Sequence, residues 1–169
     1  MSCCVCQKSK TSLICGVCGQ DICKSCTEFL NQDSFSFLKK PPEYLKNPAF
    51  CTPCFTHTVG LDLERYQETM EKAKNINVFE ISQGKETRLI KRKEAVLKVE
   101  DCSDKNETIL RLAFYAAELG FNSIIDVDLK GRKIKDGRYQ HTLWTGTAMP
   151  ANITDKQLVK DRSIWSNPN

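Results

Sequence analysis

No apolar run in these 169 residues approaches the roughly 18 that a membrane-spanning helix needs. The opening MSCCVCQKSK lacks the apolar core of a secretory signal, so a cytoplasmic location is expected. There is no nucleophile elbow, no phosphate loop and no HExxH zinc motif, and nothing points to catalysis. Histidine is scarce: His57 and His141 are the only two. Cysteine is scarce over most of the length, because of ten cysteines only Cys102 lies beyond position 55. That asymmetry divides the chain into a cysteine-built N-terminal module and a body that relies on an ordinary core.

What the N-terminal stretch does contain is dense. Eight cysteines form four C-x2-C pairs: Cys3/Cys6, Cys15/Cys18, Cys23/Cys26 and Cys51/Cys54. Each pair is a tight turn that aims two sulfurs at one ion, and zinc takes four such ligands tetrahedrally. A disulfide framework suits an exported mini-domain, not a chain kept among reducing thiols. A thioredoxin-like centre needs one such pair at a strand-to-helix turn, not four in a row. The pattern therefore predicts two zinc ions per chain, each in a closed Cys4 site that leaves no open position for water. So short a segment cannot bury enough apolar surface to fold alone, which makes the metal structural. Cys4 and Cys102 are left as free thiols. Spacing alone allows sequential or interleaved sharing of the four pairs.

The run CGVCGQDICKSC, followed by Cys51-Thr52-Pro53-Cys54-Phe55, resembles the second half of a FYVE-type zinc finger. The likeness covers about residues 3–58 and includes the hydrophobic residue, here Ile22, one place before the fifth cysteine. It implies cross-brace order, with Cys3, Cys6, Cys23 and Cys26 on one zinc and Cys15, Cys18, Cys51 and Cys54 on the other. Fingers of that family that read phosphatidylinositol 3-phosphate carry a basic run where this chain has Thr11, Ser12, Leu13 and Ile14. The tryptophan motif ahead of the first cysteine is absent as well. The loop FSFLKKPPEYL offers another membrane route, with Phe35, Phe37 and Leu38 beside Lys39 and Lys40, or else a lid packed over a zinc site.

After the last pair, Val59, Leu63, Tyr66, Met70 and Ala73 recur at helical spacing, with Glu68 and Lys72 as an i,i+4 pair. This reads as a linker helix over 58–75 that docks on a neighbouring module; a two-heptad dimer seam is the alternative. NVFEIS and the region 88–99 are rich in strand formers. ETILRLAFYAAELG reads as an amphipathic helix with Ile109, Ala113, Ala116 and Ala117 on one stripe and Leu110 and Phe114 nearby. Asp104 and Glu107 form its capping box, and Gly120 stops it. NSIIDVDL alternates as a strand, Asp136-Gly137 supplies a hairpin turn and YQHTLWTGTAMPA returns. A helix on one face of a small antiparallel sheet follows from this order.

AAELGFNSIIDVDL with the later WTGTAMP resembles the YbjQ-like family, often labelled heavy-metal-binding. The likeness, over about residues 76–152, implies a dodecin-like βαββ fold and assembly into a pentameric ring. No metal is expected in this half. Lys91-Arg92-Lys93 reads as a solvated strand face, not a phosphate site, since no stacking aromatics accompany it. Asp126 and Asp128 share a strand face and would suit Mg²⁺ or simply water.

The formal charge is +4 with every thiol counted neutral. Two tetrathiolate zinc sites at about −2 each bring the chain close to neutral, so net charge points to no nucleic-acid partner. The expected organisation is α+β: a FYVE-like finger over 1–57, the linker helix, a YbjQ-like domain over 76–152 and a tail over 153–169. Ile164 and Trp165 of the tail are candidates for docking. The expected role is non-enzymatic binding and homo-oligomeric assembly with a protein partner. The alternatives are peripheral binding to acidic lipid through the finger and, behind it, a ubiquitin-ligase-like activity.

Overall fold

The structure is a computed structural model that describes residues 1–157. Ile164 and Trp165 lie outside the described residues. The chain divides into two compact units, with the boundary between Glu68 and Thr69. It combines helix and sheet, an α+β composition.

In the N-terminal unit two short antiparallel ladders carry the cysteine turns. Strand β1 (Leu13–Ile14) pairs with β2 (Asp21–Ile22), and β3 (Thr27–Phe29) pairs with β4 (Ala49–Cys51). Ladders this short bury little by themselves. Their core is a cluster of Cys15, Ile22, Ala49, Phe50, Cys51 and Val59, with Tyr44 edge-on to Phe50 at 5.6 Å. Gly16 is required where the chain crosses this cluster, because a Cβ there would lie 2.3 Å from the Asn47 carbonyl.

Helix begins earlier than the apolar periodicity indicates. A first turn, α1 (Thr52–Cys54), carries Pro53, whose missing N–H costs nothing at a helix start. A π-helical turn over Phe55–Val59 follows, and α2 runs over Gly60–Lys74. The knuckle cysteine Cys54 thus belongs to the helix. Tyr66 stands edge-on to Phe35 at 5.4 Å, and the Tyr44 hydroxyl donates to Asp62 at 2.8 Å, so the first half of α2 docks on the loop between β3 and β4. The close ion pair on its surface is Lys74–Glu71 at 2.8 Å, rather than Glu68 with Lys72.

In the second unit the sheet order is β5-β7-β8-β6, formed by β5 (Asn77–Glu80), β6 (Leu97–Cys102), β7 (Ser123–Asp136) and β8 (Tyr139–Ala151). The segment YQHTLWTGTAMPA is β8 in full. The antiparallel core β6-β8-β7 and helix α3 (Lys105–Glu118) follow the expected βαββ order. The sheet is nevertheless mixed, because β5 joins β7 in parallel. Helix α3 starts at Asp104, which accepts the Glu107 N–H at 2.7 Å, and stops at Gly120, whose φ of 85° a side chain would strain. Its buried residues are Thr108, Leu112, Ala113, Phe114, Tyr115 and Ala116, so Ala113, Ala116 and Phe114 are buried as expected while Ile109, Leu110 and Ala117 are only partly covered.

Two local features depart from simple alternation. A bulge in β7 between Ile125 and Asp128 places Asp126 at φ 52°. The extra residue puts Ile124 on the same face as Val127 and Leu129, while Ile125 joins Ile90, Met149, Ala151 and Ile153 on the other. Residues 88–96 form no strand; only 97–99 of the strand-rich region enters β6. The reason is Arg92. Its guanidinium donates to the Thr87 and Ile90 carbonyls at 2.6 and 2.7 Å and to Asp126 at 3.0 and 3.1 Å. Those bonds hold the segment as an irregular cover over the second face. They also leave Arg92 and Asp126 committed to each other, and Asp128 pairs with Lys130 at 3.4 Å.

The hairpin turn is Gly137-Arg138, one residue beyond the expected pair. Asp136 pairs with Tyr139 across the ladder, and the positive φ of 60° falls on Gly137 at the first central position.

Helix α3 comes close to the sheet at Gly146, where a Cβ would lie 2.5 Å from Thr108 Cγ2 and 3.1 Å from Leu112. We expect Gly146→Val to destabilise the second unit by about 1–3 kcal/mol or more, since α3 must move outward. Thermal unfolding monitored by circular dichroism checks this; an unchanged melting temperature contradicts the packing described.

Candidate metal centres

Each cysteine turn is built from backbone hydrogen bonds. The Gln7 N–H donates to the Cys3 carbonyl at 2.9 Å, and the Gly19 N–H donates to that of Cys15 at 2.9 Å. In the third turn a 3-10 helix over Lys24–Cys26 closes on Cys23, and the Thr27 hydroxyl caps the same carbonyl at 2.8 Å. In the fourth, Cys51 ends β4 and Cys54 sits in the first helical turn.

The ladders decide how the turns group. β1 leads into Cys15 and β2 leads into Cys23, and because the strands are antiparallel these cysteines leave opposite ends of the ladder. The short interval between Cys18 and Cys23 therefore separates two sites instead of joining one. The structure gathers Cys3, Cys6, Cys23 and Cys26 into one group and Cys15, Cys18, Cys51 and Cys54 into another. Within each group all four sulfurs lie within 4.8 Å of one another. Among the described residues these are the two clusters with metal-ligating potential, and both consist of cysteine alone.

The geometry fits a tetrahedral ion. Zinc–sulfur bonds of about 2.3 Å put tetrahedral sulfurs about 3.8 Å apart. Cys6 and Cys23 sulfurs are 3.6 Å apart, and those of Cys18 and Cys51 are 4.0 Å apart. A disulfide needs about 2.05 Å, and all ten cysteines are free thiols. Soft thiolates select zinc or a similarly soft ion over magnesium or calcium.

The electrostatics have the same cause. Burial opposes ionisation of Cys15, yet N–H donors from Cys18, Cys51 and Val17 outweigh it and hold the thiol at about 6. The Cys51 N–H lies 3.4 Å from the Cys15 sulfur. Cys23 is likewise held at about 6, chiefly by the Ser25 hydroxyl at 3.3 Å. The neighbouring sulfurs of Cys23 and Cys6 push Cys26 up to about 12, and burial with Cys51, Cys18 and Cys15 pushes Cys54 higher still. Some sulfurs in each group are prepared as thiolates while the others are kept protonated by them. A dication at the centre removes that conflict.

The remaining two thiols belong to neither group. Cys4 packs beside the second cluster and is pushed up to about 11 by burial and by Cys51. Cys102 is buried, donates weakly to the Glu100 carbonyl at 3.7 Å and is also raised by burial. His57 and His141 are exposed and belong to neither group. Phe35, considered above for membrane insertion, is 2% exposed because Tyr66 covers it. Sequence reasoning did not single out Ser25; its place inside the Cys23–Cys26 turn is the available signal. No helix among the described residues is long and apolar enough to cross a membrane.

No protein-family model matches this chain, and comparison with curated proteins and with solved structures yields no match either.

Metal removal should dismantle the first unit selectively. A structural zinc supplies about 10–16 kcal/mol of apparent binding free energy, far more than this small core provides. Chelation should collapse the amide dispersion of residues 1–68 and leave the β6–β8 resonances in place. Unchanged spectra for the first unit contradict a metal-built fold.

Proposed function

We propose that this chain is a zinc-binding interaction and assembly protein without catalytic activity, in which both zinc ions are structural. The observation that carries this reading is closure. Each group supplies four thiolates and so fills every tetrahedral position, leaving none for a reacting water. Such an ion holds the shape of the surrounding turns and polarises no substrate.

In this reading residues 1–57 are a finger of the FYVE type, and its rigid surface meets a protein partner. The interleaved grouping of the sulfurs supports the family reading. The second unit is a dodecin-like domain that assembles copies of the chain into a ring. Support for assembly comes from the outer edges of β5 and β6, with which no further strand pairs among the described residues. Uncovered edges are templates for pairing with another chain. Lipid binding through Phe35 gains no support, because that ring is spent inside the finger.

Native mass spectrometry of the purified protein tests both halves. We expect two zinc ions per chain and a five-membered assembly. A monomer carrying two zincs removes the assembly role and keeps the finger. A chain that binds no zinc under non-chelating conditions overturns the whole reading.

A further inference from the structure

The hairpin of β7 and β8 extends beyond the rest of the sheet. Strand β6 pairs with β8 only as far as Trp144, and β5 pairs with β7 only as far as Val127. From Arg132↔Leu143 to Asp136↔Tyr139 the two strands have only each other, a free ribbon of about 14 Å. Residues 130–138 place Lys130 at its base and Arg132, Lys133, Lys135 and Arg138 along it, against the single carboxylate of Asp136. That excess of four equals the formal charge of the entire chain. Residues 85–93 carry the same excess, so the projection is one of two strongly basic segments.

These cations are available. Lys130 and Arg132 meet Asp128 and Asp101 only across exposed pairs of 3.4 and 3.7 Å, which are weak in water. Among the described residues no carboxylate pairs with Lys133, Lys135 or Arg138. The distribution over the two faces is the informative part. Strand alternation puts Lys133 and Lys135 on the face shared with Gly131 and Trp144, and Lys130 and Arg132 on the opposite face. A lipid surface is met by one face of a ribbon, which leaves half of these charges facing away. A groove walled by two rows of phosphates meets both faces at once. The B-form major groove, about 12 Å wide, admits a two-stranded ribbon.

We propose that the β7–β8 arm is a duplex-DNA-binding ribbon that enters the major groove and meets the phosphates of both walls. This goes beyond the interaction role above and depends on neither the zinc sites nor ring assembly. The contacts are to phosphate, so binding is tolerant of sequence and strongly dependent on salt.

The test is fluorescence anisotropy of a labelled B-form duplex of about 20 base pairs, titrated with the zinc-loaded full chain across about 50–200 mM salt. We expect log K to fall with log salt at a slope of about −3 to −4.5, for three to five phosphate contacts. Lys133→Glu with Lys135→Glu should weaken binding at least about tenfold and reduce the slope by about 2. The charge-matched pair Lys91→Glu with Lys93→Glu, on the irregular segment, should change affinity less than about twofold. Circular dichroism verifies that both variants keep the sheet. Absence of salt-sensitive binding, or equal losses in the two variants, overturns the proposal. So does equal affinity for an A-form RNA duplex, whose major groove is too narrow. Binding to phosphatidylserine vesicles without binding to DNA would assign the arm to a membrane and overturn it as well.

Discussion

Four thiolates cannot share a few cubic ångströms unless a cation sits among them. That conflict governs the N-terminal unit. Backbone N–H groups and the Ser25 hydroxyl favour ionised sulfur at Cys15 and Cys23, and the resulting charge holds protons on Cys26 and Cys54. Without a dication protons must take its place among the sulfurs, and the turns rest on a core of only a few apolar side chains. With one, each turn becomes a rigid corner, and the two-residue ladders between the corners need supply little stability of their own.

The second unit obeys different physics. Its sheet is covered on one face by α3 and on the other by the irregular segment before β6, which Arg92 pins to the β7 bulge. Both faces can be apolar near Ser123–Ile125 because the bulge at Asp126 redirects the side chains that follow. Stability here comes from apolar burial, with partly exposed ion pairs such as Arg92–Asp126 and Arg111–Glu107, and draws on neither cysteine quartet. The chain thus joins a unit with two candidate metal centres to one with none among the described residues.

Much of this is legible in the residues. The knuckle spacing marks all eight cysteines that the structure gathers into two quartets. The Asp104 cap, the Gly120 stop and the limits of β8 follow from local chemistry that tertiary contacts do not override. What was not legible depends on long-range partners. The bulge at Asp126 and the irregular path of residues 88–96 come from a guanidinium reaching across 34 residues of sequence. The early helix start is masked by cysteines that serve the metal and the helix together. Net charge hides the basic arm, since an average over the chain carries no position. The grouping of the cysteines needed the antiparallel ladder as well as the spacing.

The central claim is that two interleaved quartets of cysteine each enclose one ion. A cadmium–proton correlation spectrum of the cadmium-loaded protein tests it most directly. Two metal resonances are predicted, one coupled to the β-protons of Cys3, Cys6, Cys23 and Cys26, the other to those of Cys15, Cys18, Cys51 and Cys54. A single resonance, or couplings that join Cys3 and Cys6 to Cys15 and Cys18, would contradict it.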